Sequence, residues 1–208
     1  MKRKIFLNSG HSKSDPGAIV PNSLFKNESE LNIAIRDKLT PLLKNQGFEV
    51  ILIPDELNLK ESIAWVNERT NNINNGLALS IHNNCCRGEG AEVYYVGNSP
   101  ASRKIAKTLV DQFCMETGIK NRGARSDTIS RFGQLGWLRR TNCWATLIET
   151  GFLDNHTDMN YIIHNLDSVA KGIAKGVCRI YGMEYQKNEN REKKALQEIK
   201  EVLKRYKI

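Results

Sequence analysis

Apolar residues along this chain fall into short dense runs that alternate with runs stepped by three and four. Ile5-Phe6-Leu7 predicts a buried strand over residues 3–8, ending in a loop at Ser9–Gly17. From 28 to 46 the apolar positions Leu31, Ile35, Leu39, Leu42 and Leu43 keep a helical period. Pro41 is expected to kink or restart that helix, and Gly47 to close it. Residues 48–53 read as a strand, about 59–73 as a helix, and 77–82 and 91–96 as strands. Ser99-Pro100 supplies an N-cap and first-turn pair for a helix running to about Thr117, with Gly118 as its stop. Residues 121–142 are rich in Arg and Gly and give no clear period. Residues 144–149 read as a strand and 156–181 as one long helix. Strands alternating with helices predict an α/β domain with a largely parallel sheet.

The last stretch differs. Over 184–208 charged and amide side chains dominate, with Leu196, Ile199, Leu203 and Tyr206 at helical steps. It is expected to be an amphipathic helix that docks on the domain or pairs with another copy. The predicted organisation is therefore a domain over 1–183 and a charged helix over 184–208.

Composition narrows the classes. The chain has 208 residues, 40% of them hydrophobic, enough for one sizeable core. It holds no apolar run of about 18 residues, so no membrane insertion is expected. The basic start is followed by too short an apolar stretch for a secretory leader. Synthesis in the cytoplasm, with action elsewhere after release, is the expectation. Five cysteines, at 85, 86, 114, 143 and 178, show no paired spacing and suit a reducing compartment. A metal role for adjacent Cys85 and Cys86 is disfavoured, because neighbouring thiolates rarely converge on one tetrahedral ion. The net charge of +8 fits an anionic polymer such as a bacterial wall. No nucleic-acid motif accompanies it, so nucleic acid is not expected as a partner.

Three separated motifs end at residue types that zinc accepts: His11 in Asn8-Ser9-Gly10-His11, Glu28 in Lys26-Asn27-Glu28-Ser29-Glu30, and His82 in Ser80-Ile81-His82-Asn83-Asn84. Two imidazoles and a carboxylate form a recurrent catalytic set that leaves a position for water. Glu149 ends the apolar run Ala145-Thr146-Leu147-Ile148, where an acid is costly to bury without purpose. Such an acid suits the proton acceptor of a metal-activated water. His11, His82 and Glu149 each follow a predicted strand at its C-terminal end, the edge where α/β sheets gather ligands. Taken singly, His11 reads as a turn residue, His82 as a core histidine and Glu28 as a charge favouring a helix N-terminus. Glu30 competes with Glu28. His156 and His164, on the last helix, read as surface or capping residues.

Gly10-His11-Ser12-Lys13-Ser14-Asp15-Pro16-Gly17-Ala18 resembles the opening motif of the zinc-dependent N-acetylmuramoyl-L-alanine amidases of bacterial autolysins and phage endolysins. Ser80-Ile81-His82-Asn83-Asn84, Asn121-Arg122-Gly123-Ala124 and Ile148-Glu149-Thr150-Gly151-Phe152-Leu153-Asp154-Asn155 are similar to three further signatures, in the family's order. The resemblance spans residues 3–183. It implies one Zn2+ per chain held by His11, Glu28 and His82, a preference for Glu28 over Glu30, and Glu149 as the catalytic residue. It implies a twisted mixed, mostly parallel sheet flanked by helices, of phosphorylase/hydrolase-like type. Ser12-Lys13 departs from a common Gly-Gly pair, and Cys85-Cys86 stands where small residues are usual. Neither removes a ligand.

The implied reaction is cleavage of the amide between the lactyl group of N-acetylmuramic acid and L-alanine in peptidoglycan. Arg122, Arg125, Arg139 and Arg140 are candidates to bind a carboxylate of the stem peptide. A phage endolysin is the first expected setting and a mother-cell sporulation autolysin the second. The richness in Asn, Lys and Ile suggests an AT-rich genome, such as a clostridial host or its phage. The rival readings are a zinc peptidase and a catalytically silent wall-binding module.

Overall fold

The computed structural model describes residues 3–12, 14–20, 23–70, 76–130 and 133–187, with Ile199 and Leu203. Six strands and six helices follow in the order β1 (Lys4–Asn8), α1 (Glu28–Asn45), β2 (Glu49–Leu52), α2 (Leu59–Arg69), β3 (Gly76–Asn84), β4 (Ala91–Tyr95), α3 (Pro100–Thr117), β5 (Asn121–Ser126), α4 (Gly136–Arg140), β6 (Trp144–Phe152), α5 (His156–His164) and α6 (Leu166–Ile180). The sheet order is β2-β1-β3-β6-β4-β5. All neighbours are parallel except β4 and β6. The α/β class and the mixed, mostly parallel sheet are as the sequence led one to expect.

Alternation along the strands builds two cores. Ile5, Leu7, Leu77, Leu79, Ile81 and Ile148 pack with α1, α3, α5 and α6. Phe6, Ala78, Ala145 and Leu147 face the other way, toward Ile63 and Val66 of α2 and Trp137 and Leu138 of α4. By the period of two, Ser80 and His82 share the α2/α4 face with Ala78, and Glu149 shares it with Leu147. On that face α2 and α4 are short, and they leave the C-terminal ends of the central strands uncovered. On the other face α6 reaches α3 closely: a Cβ at Gly176 would stand 2.5 Å from Leu109 Cδ1 and 3.1 Å from its Cα.

Three expectations change. Pro41 lies inside a continuous α1. The carbonyl its ring deprives of a partner belongs to exposed Asp37, where water can serve, while Leu31, Ile35, Leu39 and Leu43 hold the helix to the core. The single helix expected over 156–181 is two, broken at Asn165. The Asn165 side chain donates to the Tyr161 carbonyl and its backbone N–H to that of Ile162, a local competition with helical bonding. The unassigned stretch 121–142 contains β5, a 3-10 turn at Asp127–Ile129 and α4. Of the helix expected over 184–208, residues 184–187 are irregular instead: Tyr185 packs on the core, and Gln46 and Gln186 exchange two hydrogen bonds of 2.9 Å. Beyond them the expected helix lies outside the described residues except for exposed, helical Ile199 and Leu203. Among the described residues no helix is long and apolar enough to cross a membrane.

The α3–α6 contact carries an ionic clasp that gives a pH-dependent prediction. Glu116 accepts from Lys171 Nζ at 2.6 Å and Lys175 Nζ at 2.5 Å. Burial alone would raise the Glu116 carboxyl, but the two lysines outweigh it and hold it below its ordinary value. A carboxyl depressed in the folded state stabilises above its unfolded pKa and loses that contribution as pH falls. Glu116→Gln is expected to cost about 1 kcal/mol near pH 7, a value discounted for the partly exposed lysines. The difference from wild type should close as pH drops below about 4. Denaturant unfolding of both proteins across that range checks it, and a gap independent of pH would refute the assignment.

Candidate active site

The loop after β1 turns sharply at two consecutive left-handed residues, Gly10 (φ 61°) and His11 (φ 59°). Glycine accepts that conformation freely, whereas histidine in it marks a position fixed by its surroundings. A Cβ on Gly10 would lie 2.4 Å from the Ile81 carbonyl oxygen and 2.7 Å from His82 Nε2, so the loop can lie against β3 only with glycine there. The turn brings His11 Nε2 to 3.0 Å from Glu28 Oε1. Glu28 opens α1, whose N-cap is Asn27. His82, on β3, brings Nδ1 to 3.2 Å from the same Glu28 oxygen. The two imidazoles meet edge to face with centroids 4.9 Å apart.

Supporting bonds fix each member. Asp15 Oδ2 meets His11 Nδ1 at 3.1 Å, leaving Nε2 turned to the cluster. Glu28 accepts from the backbone N–H of Asn83 on Oε1 and of Ala18 on Oε2. The Asn83 side chain in turn donates to Asn32 of α1 at 2.7 Å and meets Thr150 of β6. Glu28 is only 4% exposed. Burial would raise its carboxyl, but the bonds to His11 and His82 outweigh it and hold it well below the usual carboxylate range. Burial would lower His11, but Glu28 and Asp15 outweigh it and raise the imidazole above its ordinary value.

One donor atom from each of His11, Glu28 and His82 lies within 4.8 Å of the others. Ligands about 2 Å from one tetrahedral ion stand about 3.3 Å apart, close to the two measured separations. Two imidazoles, one carboxylate and a carboxylate behind one imidazole form a donor set suited to zinc. No cysteine belongs to the cluster. Glu30 faces elsewhere: its Oε2 accepts from the Lys26 N–H while its own N–H donates to Asn27 Oδ1. It is a helix-capping residue, and Glu28 alone of the two carboxylates enters the cluster.

Glu149 stands beside this cluster without belonging to it. It is half-buried and is the register partner of His82 in the β3–β6 pair, so both side chains rise from neighbouring strands on one face. On its other flank it is paired with Glu92 across β4 and β6. The cluster and Glu149 share a cavity of about 920 Å³, walled also by Asn84, Tyr94, Arg122, Trp137 and Phe152. His156 and His164 lie at the ends of α5, exposed.

A family model described as N-acetylmuramoyl-L-alanine amidase matches residues 5–179. The chain belongs to that family. It is 30% identical over 186 residues to a sporulation-specific N-acetylmuramoyl-L-alanine amidase of Bacillus subtilis, covering 86% of this chain and 69% of that one. It is 27% identical over 180 residues to a probable cell wall amidase of Staphylococcus saprophyticus, covering 84% of this chain and spanning only 57% of that protein. Among solved structures, the catalytic domain of the amidase CwlV from Bacillus (Paenibacillus) polymyxa var. colistinus has a TM-score of 0.73 at 27% identity, over 88% of this chain and 100% of that one.

For a chain of this amidase family, the sequence left two groups without a role. Asp15 was legible as a carboxylate four residues past His11. Glu92, 3% exposed, sits between apolar residues in Ala91-Glu92-Val93, the pattern that drew attention to Glu149. It accepts from Asn84, Tyr94 and Arg122. Of the four candidate arginines, Arg122 alone walls the cavity. Arg139 is bound through two nitrogens to buried Asp127, and Arg125 approaches Glu92 at 3.4 Å from outside the cavity wall.

Proposed function

We propose that this chain hydrolyses the amide between the lactyl carbonyl of N-acetylmuramic acid and the nitrogen of L-alanine in peptidoglycan, with zinc at His11, Glu28 and His82. The observation that carries the reading is the adjacency of His82, in the donor cluster, and Glu149, outside it, as register partners on one cavity face. A zinc ion there would lower the pKa of bound water toward about 7 and polarise the carbonyl. Glu149 is positioned to take the proton from the attacking water and return it to the departing alanine nitrogen. Water adds across the C–N bond, leaving a lactyl carboxylate and a free amine. Asp15 keeps the His11 ring oriented, and Asn83 keeps Glu28 and β6 in step. The net positive charge suits an anionic wall polymer.

For the biological setting we propose a mother-cell sporulation autolysin, supported by the 30% likeness to a sporulation-specific amidase. This is the second of the two settings expected from the sequence. Lytic release is the alternative, and it uses the same chemistry.

Purified cell walls test the activity. The zinc-loaded protein should reduce their turbidity and free new amino termini that are alanine. A chelator should abolish the reaction and added zinc restore it. New termini of any other residue would establish a peptidase instead, and bound protein without new termini would establish a silent wall-binding module.

A further inference from the structure

We propose that Arg122, aimed by the buried carboxylate of Glu92, binds a free carboxylate on the second residue of the stem peptide and so makes this chain selective for peptides that carry it as an acid rather than as an amide. The inference rests on the amidase reading of the site. It goes beyond that reading in naming the residue and the feature of the substrate that it selects.

The sheet order sets the direction. Passing from β1 through β3, β6 and β4 to β5, one meets His11 beyond β1, His82 on β3, Glu149 on β6, Glu92 on β4 and Arg122 on β5. If Glu149 protonates the leaving nitrogen, the carbonyl lies on the histidine side and the peptide departs toward β4 and β5. Adjacent strands are about 4.8 Å apart, so the peptide runs toward Arg122. A carboxyl on its second residue lies about 7 Å from the alanine nitrogen, within reach of an arginine that leans back into the cavity.

Arg122 is held in that pose. Its Nε donates to Glu92 Oε2 at 2.7 Å, and its guanidinium lies 4.9 Å from the centroid of Phe152. Nη1 reaches the Glu89 carbonyl at 3.4 Å. Glu92 also accepts from Asn84 Nδ2 at 3.1 Å and from the Tyr94 hydroxyl at 3.0 Å. One buried carboxylate thus orients three cavity side chains. Burial and the Glu92 charge push the Tyr94 phenol well above its ordinary value, so the hydroxyl stays a donor. Arg125 is a second cation on Glu92, so the two arginines balance the adjacent carboxylates of Glu92 and Glu149. Among the described residues of the cavity wall Arg122 is the one Lys or Arg, and the acids there are Asp15, Glu28 and Glu149. Among the described residues of the wall, Arg122 is therefore the one cationic side chain that can meet an anionic group on the substrate away from the proposed zinc. A guanidinium with one edge taken by Glu92 still presents further N–H groups to a carboxylate.

The test compares two soluble muramoyl tripeptides with the zinc-loaded full chain; both have the γ-carboxyl of the second residue closed in an amide bond to the third and an amidated C-terminus, and they differ only in carrying γ-linked D-glutamate or D-isoglutamine as the second residue. Wild type should favour the acid in kcat/KM by about tenfold or more. Arg122→Gln should erase the preference, bringing the two substrates to within about twofold of each other, and Arg122→Lys should retain part of it. The ratio between substrates is independent of the fraction of protein folded, so a partly unfolded variant still answers. Equal handling by wild type, or a preference that survives Arg122→Gln, overturns the proposal. Binding of the two corresponding free tripeptides, followed by calorimetry, needs no turnover. Acid-selective binding that depends on Arg122, with neither muramoyl compound cut, would uphold the carboxylate site and sink the amidase reading. Absence of acid-selective binding at millimolar tripeptide would sink the site.

Discussion

Glu149→Gln is expected to hold zinc as wild type does and to release alanine termini from cell walls about 10²–10⁴-fold more slowly. The substitution keeps the volume of the side chain and one acceptor oxygen while removing its ability to accept a proton. Glu149 contributes no atom to the donor cluster, so metal content should not change. It lies between His82 on one neighbouring strand and Glu92 on the other, and an amide in place of one of two adjacent carboxylates relieves like-charge repulsion. The variant should therefore be at least as stable as wild type, which separates a chemical loss from a folding defect. Rates of amine release and zinc per chain, measured on the same samples, decide it. Activity within tenfold of wild type would remove Glu149 from the proton-transfer role, and loss of zinc would make it a ligand.

The second large effect separates two glutamates two residues apart. Glu28→Ala should weaken zinc binding by more than the roughly 10–100-fold typical of losing a group behind a ligand, because it removes a donor itself. Activity should fall with the metal. The same change strips the acceptor from the Asn83 and Ala18 N–H groups and unties the loop from β3. Glu30→Ala removes only a capping interaction, costing about 1 kcal/mol of stability, with zinc affinity unchanged. Zinc competition with a coloured chelator measures both. Equal zinc affinity in the two variants would contradict the cluster.

The regular elements were legible wherever local chemistry and burial agree. Ser99-Pro100 and Gly118 bracket α3 as expected because N-cap, first-turn and left-handed C-cap preferences act within a few residues; Gly118 has φ 73°. The long helix over 156–181 failed at Asn165, where a side chain satisfied a local carbonyl that the apolar period could not reveal. At Pro41 the helix does not restart: packing of α1 against the core carries it through a local breaker. The antiparallel direction of β4 had a readable cause that periodicity does not express. The link 85–90 between β3 and β4 is too short for the crossover that parallel strands require.

What the sequence by itself determined is the inventory of the site and the edge on which it gathers. His11, His82 and Glu149 follow apolar runs, and parallel strands place such ends together, so the pattern put these three groups on one edge, while their roles came from the family resemblance. Between Glu28 and Glu30 the residue pattern left the choice open and only the family resemblance preferred Glu28; the tertiary structure supplies the physical reason. Both acids sit in the first turn of one helix, and only the packing of that turn against β3 determines which carboxylate meets the imidazoles. The same holds for Glu92 and Arg122. Their meeting depends on β6 inserting between β3 and β4 and on β5 taking the outer edge. That order is set by the burial of both sheet faces over the whole chain, a sum of non-local contacts that no local window of residues contains.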